Sequence, residues 1–188
     1  MNSAITTATV TLRRGGTLLY PTDTIWGIGC DATNDEAVER IYLLKQRDHS
    51  KSMLVLCTDI AMVEQFVTPV ATAVIDLLIE SERPTTVILP LRKSLLATNL
   101  AAADGSIGVR IPRMAFCQKL LRDFGKPLVS TSANLSGMPS PASYDDISPE
   151  VKNAVDYCVP RYCEVTSDNT ASRIVRLLPD GNIDILRG

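Results

Sequence analysis

The sequence predicts an α/β fold in which one twisted mixed sheet is flanked by helices, in a single domain spanning residues 1–188. Three observations carry that expectation. Seven strand-like apolar runs (17–20, 53–57, 86–89, 107–111, 127–131, 173–178 and 183–186) alternate with stretches of helical periodicity. At 188 residues and 45% hydrophobic content, the chain can close one sizeable core without metals or disulfides. No repeat, low-complexity tract or Pro/Gly/Ser-rich linker divides it.

The first run, Thr17-Leu18-Leu19-Tyr20, reads as a buried strand that delivers the polar cluster Pro21-Thr22-Asp23-Thr24 to a strand mouth. The first clear helix opens at Asn34 as N-cap, with Asp35 and Glu36 complementing the helix dipole. It buries Val38, Ile41, Tyr42 and the stem of Lys45 on helical spacing. Met53–Cys57 is the next strand. A second helix after Pro69 spaces Val70, Val74, Leu77 and Leu78 on one face, and a third puts Phe116, Cys117, Leu120, Leu121 and Phe124 on one stripe; both stripes read as core. Between them, Ile107–Ile111 is a strand that carries Arg110. The strand Pro127–Thr131 runs into a second polar cluster, Ser130-Thr131-Ser132-Ala133-Asn134. Residues 136–148 form an exposed loop closed by Ser148-Pro149-Glu150, which supplies an N-cap, a first-turn proline and an acidic residue.

Composition excludes several function classes. Nineteen basic against twenty-one acidic residues leave a formal net charge of −2, which gives no chain-wide attraction for nucleic acid or anionic membrane. Five cysteines (Cys30, Cys57, Cys117, Cys158, Cys163) without a Cys-x-x-Cys pair, beside one histidine, fit neither a zinc site nor a disulfide framework and suit a reduced, cytoplasmic setting. The amino terminus has no basic segment followed by an apolar one, and no apolar run reaches the roughly 18 to 20 residues that span a bilayer. A Ser-His hydrolase is disfavoured because His49 lies between Asp48 and Ser50 and no Gly-x-Ser-x-Gly occurs; Ser167-Asp168-Asn169 lacks the other β-lactamase elements. There is no Walker P-loop, and Gly27-Ile28-Gly29 is too short for a dinucleotide fingerprint. With three Phe, five Tyr and one Trp, a stacking platform for single-stranded RNA has little to build on, and Trp26 reads as core.

What remains is polar chemistry without a nucleophile. Lys45, Arg47 and Lys51 crowd a loop before an apolar strand, where two point charges and one forked guanidinium suit a polyphosphate. Arg110 sits in an otherwise apolar strand beside Gly108, so either a protein carboxylate or a ligand must pair with it. The Ser130–Asn134 hydroxyls and amide can orient a ligand but lack a base.

In order and spacing, Pro21-Thr22-Asp23-Thr24-Ile25-Trp26-Gly27-Ile28-Gly29-Cys30, Lys45-x-Arg47, Gly108-Val109-Arg110-Ile111-Pro112 and Ser130-Thr131-Ser132-Ala133-Asn134-Leu135-Ser136-Gly137 resemble the YrdC/Sua5 family of L-threonylcarbamoyladenylate synthases, from about residue 9 to the end. The resemblance implies a YrdC-like domain with a concave basic cleft. The implied activity is synthesis of threonylcarbamoyl-AMP from ATP, L-threonine and bicarbonate with release of pyrophosphate, for t6A modification of tRNA. It also implies Mg2+ on the phosphates, a t6A transferase complex as partner, and the short, single-domain family form ending at Gly188.

By position, Lys45, Arg47, Ser132 and Asn134 match the family's catalytic tetrad. Arg47, Lys51, Ser106, Ser132, Ser140 and Arg187 match its ATP contacts, and Thr24, Arg110, Ser130 and Ser172 its threonine contacts. No metal ligand is assigned. The chain departs from the family pattern at Asp48, usually proline, at Glu82-Arg83-Pro84-Thr85-Thr86, at Leu56, histidine in some members, and at Arg173 in Ser172-Arg173-Ile174-Val175. Two other readings compete: a double-stranded RNA or tRNA binder using Lys45, Arg47, Lys51 and Arg110, and a paralogue acting on a related adenylate or phosphosugar.

Overall fold

The structure is a computed structural model that describes residues 1–51, 53–67, 70–92, 95–164, 170–178 and 182–188. Pro69 and the Ser167-Asp168-Asn169 tripeptide lie outside the described residues. The chain runs through α1 (Asn2–Arg13), β1 (Leu18–Tyr20), β2 (Gly27–Gly29), α2 (Asp35–Lys45), β3 (Leu54–Leu56), α3 (Ile60–Val63) and α4 (Thr72–Ile79). It continues with β4 (Thr85–Pro90), β5 (Ser106–Arg110), α5 (Ala115–Phe124), β6 (Leu128–Ser132), α6 (Pro149–Ala154), β7 (Tyr157–Cys158), β8 (Arg173–Leu177) and β9 (Ile183–Arg187). The strands join into one mixed sheet in the order β7-β1-β2-β6-β3-β5-β4-β8-β9, with parallel pairs β1–β7, β3–β5 and β4–β8.

The helix starts form as their residues dictate. Asn34 Oδ1 accepts from Ala37 N at 3.0 Å, and Ser148 Oγ accepts from Val151 N at 3.3 Å ahead of Pro149. The buried stripe of α5 is Phe116, Cys117, Leu120, Leu121 and Phe124, and α4 buries Val74, Leu77 and Leu78, with Val70 half-buried before it.

The sheet separates two cores by strand alternation. Leu19, Ile28, Val55, Val87, Val109, Val129 and Val175 face one core with α2, α3, α4 and α6. Leu18, Tyr20, Leu56 and Leu128 point the other way, where α1 and α5 cover them. Those two helices cover only one end of that face.

Four elements escape the sequence reading: helices α1 and α3 and strands β2 and β7. Helix α1 packs Ala4, Ile5, Ala8 and Leu12 on α5, although its threonines favour extended backbone. Their hydroxyls bond back one turn, Thr6 to Asn2 O, Thr7 to Ser3 O and Thr11 to Thr7 O, at 2.9–3.1 Å. Strand β2 is Gly-Ile-Gly and sits centrally between β1 and β6. A Cβ on Gly29 would lie 2.1 Å from Val129 O, so only glycine lets Tyr20 lie across it and donate to Val129 O at 3.3 Å.

Candidate active site

Where α1 and α5 end, the same sheet face opens as a cleft of about 220 Å³. Its floor follows the period-two register: Gly27 beside Ser132, Ser130 beside Leu54, Leu54 beside Gly108, Gly108 beside Ile88, and Thr86 beside Ile174, with Arg187 opposite Ile174 on the outermost strand. The site therefore lies across the sheet face rather than at strand mouths, and Ser130 and Ser132 belong to β6 itself. Of the residues singled out in the sequence, Thr24, Arg47, Arg110, Ser130, Ser132, Ser140, Ser172 and Arg187 all line this cleft. Lys45, Lys51, Ser106 and Asn134 are not among its lining residues.

Arg110 is 3% exposed, and a protein carboxylate pairs with it. Its Nη2 lies 3.6 Å from Asp23 Oδ1 and its Nη1 donates to Thr24 Oγ1 at 2.8 Å, while Nε has no partner among the described residues. Asp23 is itself held by Arg113 N at 2.9 Å. The hydroxyl relay has a fixed direction. Thr22 Oγ1 donates to Ile25 O at 2.7 Å, so in the 2.9 Å Thr22–Thr24 contact the proton comes from Thr24, which in turn accepts from Arg110. Thr24 thus orients the guanidinium.

On the opposite wall, buried Thr86 and Ser172 share a hydroxyl hydrogen bond of 2.8 Å. Arg187 donates to Ser172 O through Nε at 3.0 Å and Nη2 at 2.8 Å. Thr86 is a site residue that the sequence reading missed. The available signal was a hydroxyl two residues before Ile88 and one before core-facing Val87, hence on the cleft face. Trp26 is buried and lines the cleft as well; its Nε1 donates to Glu164 Oε1 at 2.6 Å and its ring lies 4.9 Å from that of Tyr144.

The Lys45-x-Arg47 pair is split. Gln46 takes φ 50°, and Arg47 N reaches back to Tyr42 O at 3.0 Å, closing α2 with a left-handed turn. Arg47 enters the cleft wall, steadied by Nε donating to Lys51 O at 2.8 Å. Lys45, expected to face phosphate, is instead 1% exposed, with Nζ donating to Ser132 O at 2.5 Å and Asn134 O at 2.6 Å. The Asn134 amide nitrogen donates to Leu135 O and Met138 O, while its buried Oδ1 has no partner among the described residues. Lys51 is exposed on the loop, and Ser106 bonds Asp104 Oδ1 at 2.5 Å at the start of β5.

Two of the departures from the family pattern, Asp48 and Leu56, have local accounts. Asp48 Oδ1 accepts from Ser50 N at 2.8 Å, an Asx turn doing a proline's work. Leu56 is fully buried under α1 and α5, away from the cleft. His49 stacks on Tyr42 at 4.3 Å and meets Glu39 at 2.9 Å, outside the site. Nothing in the structure explains Arg173.

Electrostatically the cleft is short of negative charge. Among the described lining residues, three are arginines and none is acidic. Burial lowers the pKa of Arg47, and burial with the neighbouring Arg110 charge lowers that of Arg187. Burial, reinforced by Arg47, pulls Lys45 down to about 7. Such a site favours an anion. Among the described residues no cluster of His, Cys, Asp or Glu could hold a metal, and no helix is long and apolar enough to cross a membrane.

Comparison with known proteins identifies the family. The pattern of the Sua5/YciO/YrdC family, described as telomere recombination, matches residues 10–188. A threonylcarbamoyl-AMP synthase of Stenotrophomonas maltophilia is 35% identical over 154 residues, 79% of this chain and 81% of that protein. Among solved structures, P. abyssi Sua5 complexed with L-threonine superposes with a TM-score of 0.87 at 22% identity over 97% of this chain, which spans 53% of that longer one. E. coli YciO superposes with a TM-score of 0.81 at 23% identity, covering 100% of this chain and 89% of its own. The chain belongs to the Sua5/YciO/YrdC family.

Proposed function

We propose that this protein makes threonylcarbamoyl-AMP from ATP, L-threonine and bicarbonate, releasing pyrophosphate, in the cytoplasm and as the first step of t6A formation on tRNA. One observation carries the reading: Arg47, Arg110 and Arg187 converge with the hydroxyls of Thr24, Ser130, Ser132 and Ser172 on one sheet face whose described lining residues include no acidic group. Relatives about one-third identical over most of the chain bear the synthase name. Five free thiols suit a reducing compartment.

In this reading the threonine carboxylate pairs with Arg110, whose Nε is still without a partner among the described residues. The hydroxyl pair Thr86–Ser172 stands on the facing wall. Bicarbonate takes up a proton and loses water to give carbon dioxide; threonine's neutral amine attacks that carbon and gives up a proton to solvent, leaving a carbamate. A carbamate oxygen attacks the α-phosphorus, the bond to the β-phosphate oxygen breaks, and pyrophosphate leaves. Arg47 and Arg187 spread the charge on the phosphates, and Ser132 and Ser140 orient them. No covalent enzyme intermediate is needed; the work is alignment and charge dispersal. Among the described residues the wall offers guanidinium and hydroxyl groups and no carboxylate, a poor donor set for magnesium. An Mg2+ ion arriving with ATP would keep phosphate and water oxygens as ligands. The labile product implies a t6A transferase complex as acceptor.

The test is pyrophosphate release with each substrate omitted in turn. Release should require threonine and bicarbonate together, and Arg47→Ala should abolish it. Release indifferent to threonine overturns the reading and favours a paralogue acting on a related adenylate.

A further inference from the structure

Lys45 and Arg47 are two residues apart, yet only Arg47 reaches the cleft wall. The left-handed Gln46 between them redirects the chain, and the Lys45 ammonium lies against two backbone carbonyls instead. We infer that Lys45 is a positioning residue: by holding Ser132 O and Asn134 O away from the cleft, it fixes the 132–134 turn so that the Ser132 hydroxyl faces substrate and Arg47 alone of the pair meets phosphate. The assignment deepens the synthase reading and rests on it.

Three links tie the end of α2 to this turn. Besides the two Nζ bonds, Lys45 O accepts from Ser136 N at 2.8 Å. The Asn134 amide, bonded to Leu135 O and Met138 O, carries the constraint into the loop that brings Ser140 to the cleft. The clamp also needs no charge. Burial and the charge of Arg47 lower the ammonium's pKa to about 7, and a neutral amine still carries two N–H groups for two carbonyls. A lysine serving as a phosphate counter-charge would be lost on deprotonation.

The experiment compares Lys45→Met, Lys45→Gln and Arg47→Met with the wild type by steady-state pyrophosphate release. ATP titration of Trp26 fluorescence runs alongside; Trp26 is the chain's one tryptophan and lines the cleft. Lys45→Met should lower kcat by about 100-fold, as a displaced site does, while ATP binding stays within about threefold. Lys45→Gln, an uncharged donor, should recover at least about tenfold of that kcat, and Arg47→Met should weaken ATP by about tenfold or more. Lys45→Met weakening ATP as much as Arg47→Met, or Lys45→Gln no better than Lys45→Met, overturns the assignment. If thermal melts show Lys45→Met unfolded, Lys45→Gln decides alone: wild-type-like ATP binding with measurable kcat supports the clamp, and weakened ATP binding refutes it. A wild type without threonine-dependent release defeats the function reading instead, and the Trp26 titrations still report whether Lys45 touches phosphate.

Discussion

One face of the sheet contains two regions built on the same strands. At one end Leu18, Tyr20, Leu56 and Leu128 lie under α1 and α5; two and four residues further along, on the same face, Leu128 gives way to Ser130 and Ser132, and two residues from Leu56 stands Leu54 beside Gly108. The backbone is the same, and only the lid differs. Where helices supply an apolar cover, the strands carry leucine and tyrosine. Where the cover stops, they carry hydroxyls, glycine and an arginine whose charge costs too much to bury unpaired. The site is the part of a core face that the fold leaves uncovered.

The two glycines of β2 give the largest expected effect, because one lies in each region. Gly29→Ala puts a methyl 2.1 Å from Val129 O and 2.9 Å from Tyr20 Cε1, so backbone must move and the β2–β6 pairing is lost. A destabilisation above about 4 kcal/mol is expected, in the exceptional class for single substitutions. Gly27→Ala meets the Ser130 hydroxyl at 3.2 Å and Thr131 O at 3.4 Å, which small shifts relieve. It should fold, lose no more than about 1–2 kcal/mol, and impair pyrophosphate release because its methyl enters the cleft. Denaturant melts and activity separate the two. Equal stability for both variants would erase the distinction between the regions.

A leucine and a serine sharpen the same contrast at smaller amplitude. Leu56→Ala under the helices should lower stability by about 2–5 kcal/mol, the usual range for a fully buried aliphatic chain. Ser132→Ala in the open region should change stability by no more than about 0.5 kcal/mol and cut pyrophosphate release at least about tenfold. Chemical denaturation with parallel kinetics checks both. A stability loss for Ser132→Ala as large as that for Leu56→Ala would mean the serine is there for the fold.

The covered region was readable in advance because it follows periodicity and capping: the α5 stripe, the Asn34 and Ser148 caps and the apolar strands stand in the sequence as they stand in the structure. The exceptions have causes. Helix α1 is rich in threonine and exists through packing on α5, and Gly-Ile-Gly has no strand pattern because its glycines are there for close approach. In the open region, residue types were readable and directions were not. Arg47, Arg110, Ser130 and Ser132 were found from charge and hydroxyl content, but the sequence could not show that Gln46 adopts a left-handed conformation, and so could not send Lys45 beneath β6. Thr86 was missed because its partner, Ser172, is 86 residues away and only β4–β8 pairing unites them.

The smallest expected effect is a pH dependence that belongs to the seam between the regions. Lys45 is a polar group buried to 1% exposure, and its folded-state pKa of about 7 lies well below the roughly 10.4 of an exposed lysine. Between those values the folded chain has released the proton that the unfolded chain still binds. Unfolding therefore takes up a proton, and raising the pH through that window favours the folded state. One proton corresponds to a slope of at most about 1.4 kcal/mol per pH unit, so the stability of the wild type relative to Lys45→Met should rise by about 1 kcal/mol from pH 7.5 to 8.5. Below pH 7 the lysine is charged in both states and the difference should be flat. Taking the difference between the two proteins cancels every group they share, leaving this one proton to be read by denaturant titration at several pH values. A flat difference across the whole range would mean that Lys45 keeps its charge at the seam, with its ammonium hydrated on the cleft side instead of resting dry against Ser132 and Asn134.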